Sequence, residues 1–253
     1  MHGHAFTTWR PANLWPVALL LAFSTWFAFW SFHSIDADLP DDVPVRIVPP
    51  EELAASTSPK GAAPRITGVE HTGAGGDPRV QEYRAHLRAF AADLRGTGKV
   101  DELRARRLAQ TVIHEAYRFG VPPALILGVL LVENPDFRSN AVSPAGARGL
   151  MQIMPDTWLP ALGRYFGYDL ANDEINLRMG IYILALYAYY AHGDYRRTLL
   201  RYNGCVIGTR TPDCFSYPDK VRRNAERYAL ATCPVRSFER CVAVPLAYAF
   251  DRR

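Results

Sequence analysis

Residues 175–191 read INLRMGIYILALYAYYA, and no charge falls between Met179 and His192. At 1.5 Å per residue this stretch is too short to cross a hydrocarbon core of about 30 Å. A helix that is apolar nearly all round belongs at the centre of a globular domain. Upstream, Ala105, Leu108, Ala109, Val112, Ala116 and Phe119 recur at helical spacing, and Gly120 ends that helix. Pro122 and Pro123 open the next, which runs through the apolar stretch Ala124–Val132. A Pro/Gly/Ser-rich turn covers residues 134–149, followed by a short helical piece over 151–162. Amphipathic patterns over 195–203 and 218–232 predict two more helices. No stretch alternates as a strand does. The expected fold class is all-α, with one compact helical domain over residues 79–235.

The chain has 253 residues, a formal charge of +4 and 49% hydrophobic residues. That much apolar material excludes a wholly disordered protein, and 18 Gly with 19 Pro are too few for a collagen-like fibre. Among the 29 basic residues only Lys60, Lys99 and Lys220 are lysines. Both signs are interspersed, without the basic stripe of a nucleic-acid binder, so no nucleic-acid partner is expected.

From Pro11 to Ile35 there is no formal charge, and residues 14–32 read LWPVALLLAFSTWFAFWSF. This length suits one membrane-spanning helix. Arg10 precedes it and Asp36, Asp38, Asp41 and Asp42 follow, which puts residues 1–10 in the cytoplasm and the remainder outside. The run ends in large residues with no Ala-x-Ala site, so residues 11–35 are read as a retained anchor. Residues 36–78, rich in Pro, Ala, Gly, Ser and Thr, read as a flexible linker. Gly73–Gly76 lacks the Lys-Ser/Thr of a phosphate loop and is read as linker. Residues 236–253 form a C-terminal extension.

All four cysteines, Cys205, Cys214, Cys233 and Cys241, lie in the last quarter, on the outer side of the expected anchor. An even, clustered set there suggests disulfides. Four cysteines admit three connectivities; pairing neighbours, Cys205–Cys214 and Cys233–Cys241, closes the shortest loops and is the expected pattern. A zinc site is the alternative, weakened by the lack of a CxxC pair and of any His after His192.

Glu133 ends a nine-residue apolar stretch. On position alone it is a solvated residue at a helix end. If it is dehydrated instead, its carboxyl pKa rises and it can act as a general acid near neutrality. The stretch it opens, ENPDFRSNAVSPAGARGLMQIMPDTW (133–158), resembles the signature of the soluble lytic transglycosylase family, which cleaves peptidoglycan. Ser143, Gly146, Ala147, Gly149, Leu150, Met151, Gln152, Met154 and Pro155 match it. Asn176, Gly180 and Tyr182 resemble the family's second motif, Tyr202-Asn203-Gly204 the third, and Tyr217 the final tyrosine. The likeness covers about residues 105–230, in order.

The resemblance implies a lysozyme-like helical fold, glycan strands of peptidoglycan as substrate, and no metal or cofactor. It implies Glu133 as the catalytic acid. It further implies that Ser143 hydrogen-bonds Glu133, Gln152 reads an N-acetyl amide or hydroxyl, and Met154 lines the floor. Tyr202 sits beside the reacting sugar, Asn203 holds helix or substrate in register, and Tyr217 completes the substrate-binding set. The chain departs from the pattern in having Glu133-Asn134 where Glu-Ser is usual and a loop to Ser143 one residue longer. Asp213 is only a loose substitute for the acidic residue before the last tyrosine, and Cys205 replaces a small residue. The inner membrane, with the domain in the periplasm, is the expected location. Local wall opening for a secretion or conjugation complex suits such an anchor. A goose-type hydrolytic lysozyme and a non-catalytic peptidoglycan-binding module are the alternatives.

Overall fold

The computed structural model describes residues 47–57, 78–205, 214–235 and 237–242. They belong to the unit Val45–Arg253; the other unit, Met1–Pro44, lies outside them, and with it the expected tail and anchor. Among the described residues no helix is long and apolar enough to cross a membrane.

The helices are α1 (Pro50–Thr57), α2 (Pro78–Gly96), α3 (Glu102–Phe119), α4 (Pro123–Glu133), α5 (Pro155–Phe166), α6 (Asp173–Tyr190), α7 (Tyr195–Tyr202) and α8 (Tyr217–Tyr228). A 3-10 turn, Cys214–Ser216, leads into α8. The described residues contain no strand, only isolated bridges that pair Arg148 with Val142 and Ile153. The all-α expectation therefore holds.

Local signals set the helix ends. The Asp101 carboxylate accepts from the Arg104 N–H at 2.8 Å and starts α3, and Gly120 ends it in the left-handed region at φ 65°. The Asn172 side chain accepts from the N–H groups of Glu174 and Ile175 and starts α6. The stretch that decided the fold is buried as expected: Leu177, Ile181, Tyr182, Leu184 and Leu186 are wholly enclosed. The buried stripe of α3 packs on it, and α7 covers another side.

The segment expected to be a tether holds α1. Its Leu53 is fully buried, and the helix packs on α3 and α6. The Tyr182 hydroxyl donates to the Val48 carbonyl just ahead of it. Ile47, Val48 and Ala54 pack beside Leu53, and together with this hydrogen bond they hold the short piece on the core. The rest of the expected tether lies outside the described residues, apart from the start of α2.

The packing of α4 on α8 positions the site. At Gly128 a Cβ would stand 2.6 Å from the Val221 carbonyl oxygen, so the two backbones touch there. From that contact Glu133 lies onward along α4 while Tyr217 lies back along α8. An antiparallel approach of this kind brings the two ends together. Gly128→Ala should drive the helices apart and destabilise the domain by about 1–3 kcal/mol through overpacking. A lowered midpoint in thermal unfolding, with α-helical circular dichroism retained below it, checks this.

Candidate active site

Glu133 is the last residue of a helix whose preceding residues, Ala124 to Leu131, are all buried. It stands at the rim, partly exposed. Dehydration pushes its carboxyl up from the usual 4.5 to about 7, against the hydrogen bond from Tyr217, which pulls it back. The Tyr217 hydroxyl donates to Glu133 Oε1 at 2.5 Å. Burial and the nearby Glu133 charge hold the Tyr217 phenol well above its ordinary value, so it stays a neutral donor.

Tyr202 ends α7 on the other side. Its hydroxyl donates to the Met151 carbonyl at 2.8 Å, and it too is held well above 10 by dehydration first and by Glu133 second. Glu133, Tyr202 and Tyr217 thus form one cluster contributed by three helices. The Cys205–Cys214 disulfide, with Cα atoms 5.5 Å apart, joins the chain just past Tyr202 to the turn just ahead of Tyr217. Asn203 caps α7 and donates from Nδ2 to Cys205 Sγ at 3.3 Å. Asp213 lies outside the described residues. The second pair, Cys233–Cys241, is also a disulfide, so the zinc alternative gives way at both pairs.

The loop after Glu133 is held by buried amides. Asn134 donates to the carbonyls of Arg138 (2.7 Å) and Gly149 (3.2 Å) and accepts from the Arg138 N–H (3.0 Å). Asn176 on α6 donates to the carbonyls of Arg148 (2.9 Å) and Leu170 (3.0 Å) and accepts from the Met151 N–H (2.8 Å). Gly149 must be glycine on two counts: its φ is +78°, and a Cβ would stand 2.1 Å from Asn176 Nδ2. At Gly180 a Cβ would meet Met151 Sδ at 2.5 Å, so Met151 seats directly on α6. The second motif is a clamp for this loop.

Gln152 adopts φ +47°, an uncommon conformation for a residue with a side chain. Its Nε2 donates to the Gly149 carbonyl at 2.8 Å, which leaves the amide oxygen as an acceptor. Met154 caps the start of α5 and is partly exposed. Ser143 stands apart from this cluster. Its hydroxyl accepts from the Ala147 N–H at 3.0 Å and stabilises its own turn; it makes no hydrogen bond to Glu133. The turn competes locally for the hydroxyl, as short Ser side chains allow. Of the neighbouring carboxylates, Asp136 is exposed and paired with Lys99 at 2.9 Å, whose hydrogen bond and charge hold it below the usual range. Sequence reasoning missed the Asn134 staple. The departure from Ser at that position was its signal.

Two outcomes follow from this electrostatic arrangement. The folded pKa of Glu133 lies above its unfolded value, so the folded state binds more protons between about pH 4.5 and 7 and loses stability as pH rises through that window. Glu133→Gln, neutral throughout, should match the wild type near pH 4 and exceed it at pH 8 by an amount on the order of 3 kcal/mol, read from urea unfolding at the two pH values. Tyr217→Phe removes the hydrogen bond that favours the carboxylate, so the Glu133 pKa should rise above about 7, as followed by carboxyl carbon NMR titration.

Residues 110–210 match the Transglycosylase SLT domain family. Over 109 residues the chain is 37% identical to "Membrane-bound lytic murein transglycosylase C" of Actinobacillus pleuropneumoniae serotype 5b (strain L20), covering 40% of this chain and 30% of that protein. Proteins of the same name from Glaesserella parasuis serovar 5 (strain SH0165) and Haemophilus influenzae (strain PittEE) are 46% and 41% identical over 56 residues. That stretch is 22% of this chain and 15% of each of those proteins. No solved structure gives a significant match. The chain thus spans less than a third of the length of the curated relatives it matches. Residues 110–210 of the helical domain, which carry most of the ordered motifs of residues 133–217, are thus similar to the transglycosylase SLT domain.

Proposed function

We propose that this chain is a membrane-anchored lytic transglycosylase that cleaves the β-1,4 bond between N-acetylmuramic acid and N-acetylglucosamine in peptidoglycan. The observation that carries the reading is the Glu133 carboxyl, dehydrated to a pKa of about 7 and hydrogen-bonded by Tyr217. Such a group still holds its proton in much of the population at neutral pH and can give it to a leaving oxygen.

Most glycosidases work with two carboxylates. Here Asp136 is engaged by Lys99 at the surface, and Asp156 is exposed. One carboxyl group suffices when the substrate takes the second role. Tyr217 donates to Oε1, so the acid form carries its hydrogen on Oε2. That hydrogen passes to the glycosidic oxygen as the bond to C1 breaks. The 2-acetamido group of the muramic acid stabilises the positive charge that develops at C1, as in substrate-assisted glycosidases. Glu133, now ionised and held by Tyr217, takes the proton from the same sugar's C6 hydroxyl. The C6 oxygen then closes onto C1. The product carries a 1,6-anhydro ring, Glu133 recovers its proton, and no water is consumed.

Gln152, Met154, Tyr202 and Asn203 are the substrate-side residues of this reading, and the free amide oxygen of Gln152 suits an acetamido N–H or a hydroxyl. Ser143 supports the turn that leads to Gln152 and Met154. The relatives that share the motif region are named membrane-bound, and the uncharged run over residues 11–35 suits a single-pass anchor in the inner membrane. A domain held there would act on the wall close to the membrane, a position that suits a secretion or conjugation complex.

Mass spectrometry of the products released from purified sacculi tests the chemistry. Anhydro ends are expected; ends carrying an added water would make the enzyme a lysozyme, and glycan binding without any release would make the domain a binding module. Glu133→Gln should lower the release rate at least 10³-fold with the fold retained, given the usual worth of a general acid together with the lost base function. In the wild type the rate should fall as pH rises above about 7, as the acid form is titrated away.

A further inference from the structure

We propose that Trp158 and Tyr187 form an aromatic wall that stacks on a pyranose ring of the bound glycan, one position along the cleft from Glu133. The inference deepens the reading above and rests on it for the identity of the substrate.

Trp158 follows Met154 by one helical turn, and its N–H bonds to the Met154 carbonyl at 3.1 Å, so the two side chains share a face of α5. The indole meets the Tyr187 ring edge-on, with centroids 5.9 Å apart and planes at 80°. Tyr187 lies on α6. α7, which ends in Tyr202, packs on the same helix, and the Tyr202 hydroxyl bonds the carbonyl of Met151, three residues ahead of Met154. Trp158, Met154, the Met151 carbonyl and Tyr202 are thus linked by contacts along the loop that carries Gln152.

Exposure separates this series from the core. Glu133, Gln152, Met154, Trp158, Tyr187 and Tyr202 are each partly exposed. Their sequence neighbours Leu131, Met151, Ile153, Leu186 and Leu199 are buried. The six partly exposed residues come from α4, α5, α6, α7 and the intervening loop, yet all stop at the surface. The Trp158 indole is left partly in water, whereas Leu162 and Phe166 on the same helix are buried. An indole left partly in water retains apolar surface that a ligand can cover. The indole packs on the core and on Tyr187 and keeps part of its surface in water, and that apolar surface suits the C–H face of a sugar ring. The Tyr187 phenol, raised to about 12 by burial, remains a neutral hydrogen-bond donor beside it. The chain's other four tryptophans all precede residue 31. Trp158 is thus the one indole in the domain.

The test uses two arms on the full-length protein. In the first, calorimetric titration measures the affinity of Glu133→Gln for an N-acetylglucosamine hexamer, alone and combined with Trp158→Ala, Trp158→Phe or Tyr168→Ala. The expected result is about tenfold weaker binding with Trp158→Ala, substantial retention with Trp158→Phe, and no change with Tyr168→Ala, an exposed aromatic elsewhere. In the second, KM and kcat for soluble glycan strands are compared in the Glu133 background, where Trp158→Ala should raise KM about tenfold and leave kcat within about twofold. Equal affinities in the first arm overturn the proposal. So does a loss in both Trp158 variants that tracks a fall in thermal midpoint, which would make the ring a packing element. The first arm needs no turnover. If the wild type releases no anhydro product yet the Trp158 series behaves as expected, the reaction reading fails and the sugar wall stands.

Discussion

A single carboxyl group sits where two influences that disfavour its charge meet one that favours it, and the rest of the domain is arranged around that conflict. Glu133 follows a fully buried helix, so much of its hydration is stripped away. It lies at the C-terminal end of α4, where the partial negative charge of the unpaired carbonyls also disfavours an anion. Opposing both is one hydroxyl, that of Tyr217 at 2.5 Å. Dehydration wins, and the carboxyl rests near neutrality, where both of its protonation states are accessible. A fully solvated Glu would have lost its proton long before neutral pH; one deprived of Tyr217 as well would hold it too firmly to release.

Such a balance requires fixed distances, and the chain fixes them with short-range devices. Gly128 lets α8 lie against α4 backbone to backbone, which sets the separation of Glu133 and Tyr217. The Cys205–Cys214 bridge ties the ends of α7 and α8 and with them both tyrosines. Asn134 and Asn176 hold the intervening loop through six hydrogen bonds, five of which go to backbone carbonyls or N–H groups of residues 138–151. A loop without regular structure becomes rigid because its buried amides satisfy the backbone groups that a sheet or helix would have paired. Gln152 can then be kept at φ +47°, an unfavourable conformation that a freely moving loop would relax.

Periodicity and punctuation made the large elements legible. Residues 175–191 could only be a buried helix, and the caps at Asp101, Asn172 and Gly120 mark helix ends by local chemistry that needs no tertiary information. Glu133 was legible as an anomaly, an acid closing an apolar run. Its partner was not: Tyr217 lies 84 residues away, and no spacing rule reports that two helices meet through a glycine near the middle of one. Ser143 was read as reaching Glu133, whereas its hydroxyl serves its own turn. A residue four positions away competes with little entropic cost against one on another element. Helix α1 was read as linker, although Pro50 with Glu51 and Glu52 behind it is a helix-start signal; eight residues with one buried leucine are too weak a pattern to stand out against Pro- and Ala-rich flanks.

The site must satisfy two demands that conflict in water. On the proposed function, a polymer rich in hydroxyls has to arrive through solvent, and the acid that attacks it has to stay dry. The structure separates the two by position. The tyrosine hydroxyls around Glu133 point at protein partners, Glu133 Oε1 and the Met151 carbonyl, and so leave few sites for water beside the carboxyl. Gln152, Met154 and Trp158 are partly exposed, and the last two are apolar. A sugar ring laid on that strip would displace its water and deepen the dehydration of Glu133, pushing the acid further toward its protonated form as the bond to be cut comes into reach. Binding and acid strength would then be coupled through solvent exclusion, with no moving part required. After the proton leaves, the same exclusion would disfavour the carboxylate, and the Tyr217 hydrogen bond is the one interaction in place to hold it until a proton returns.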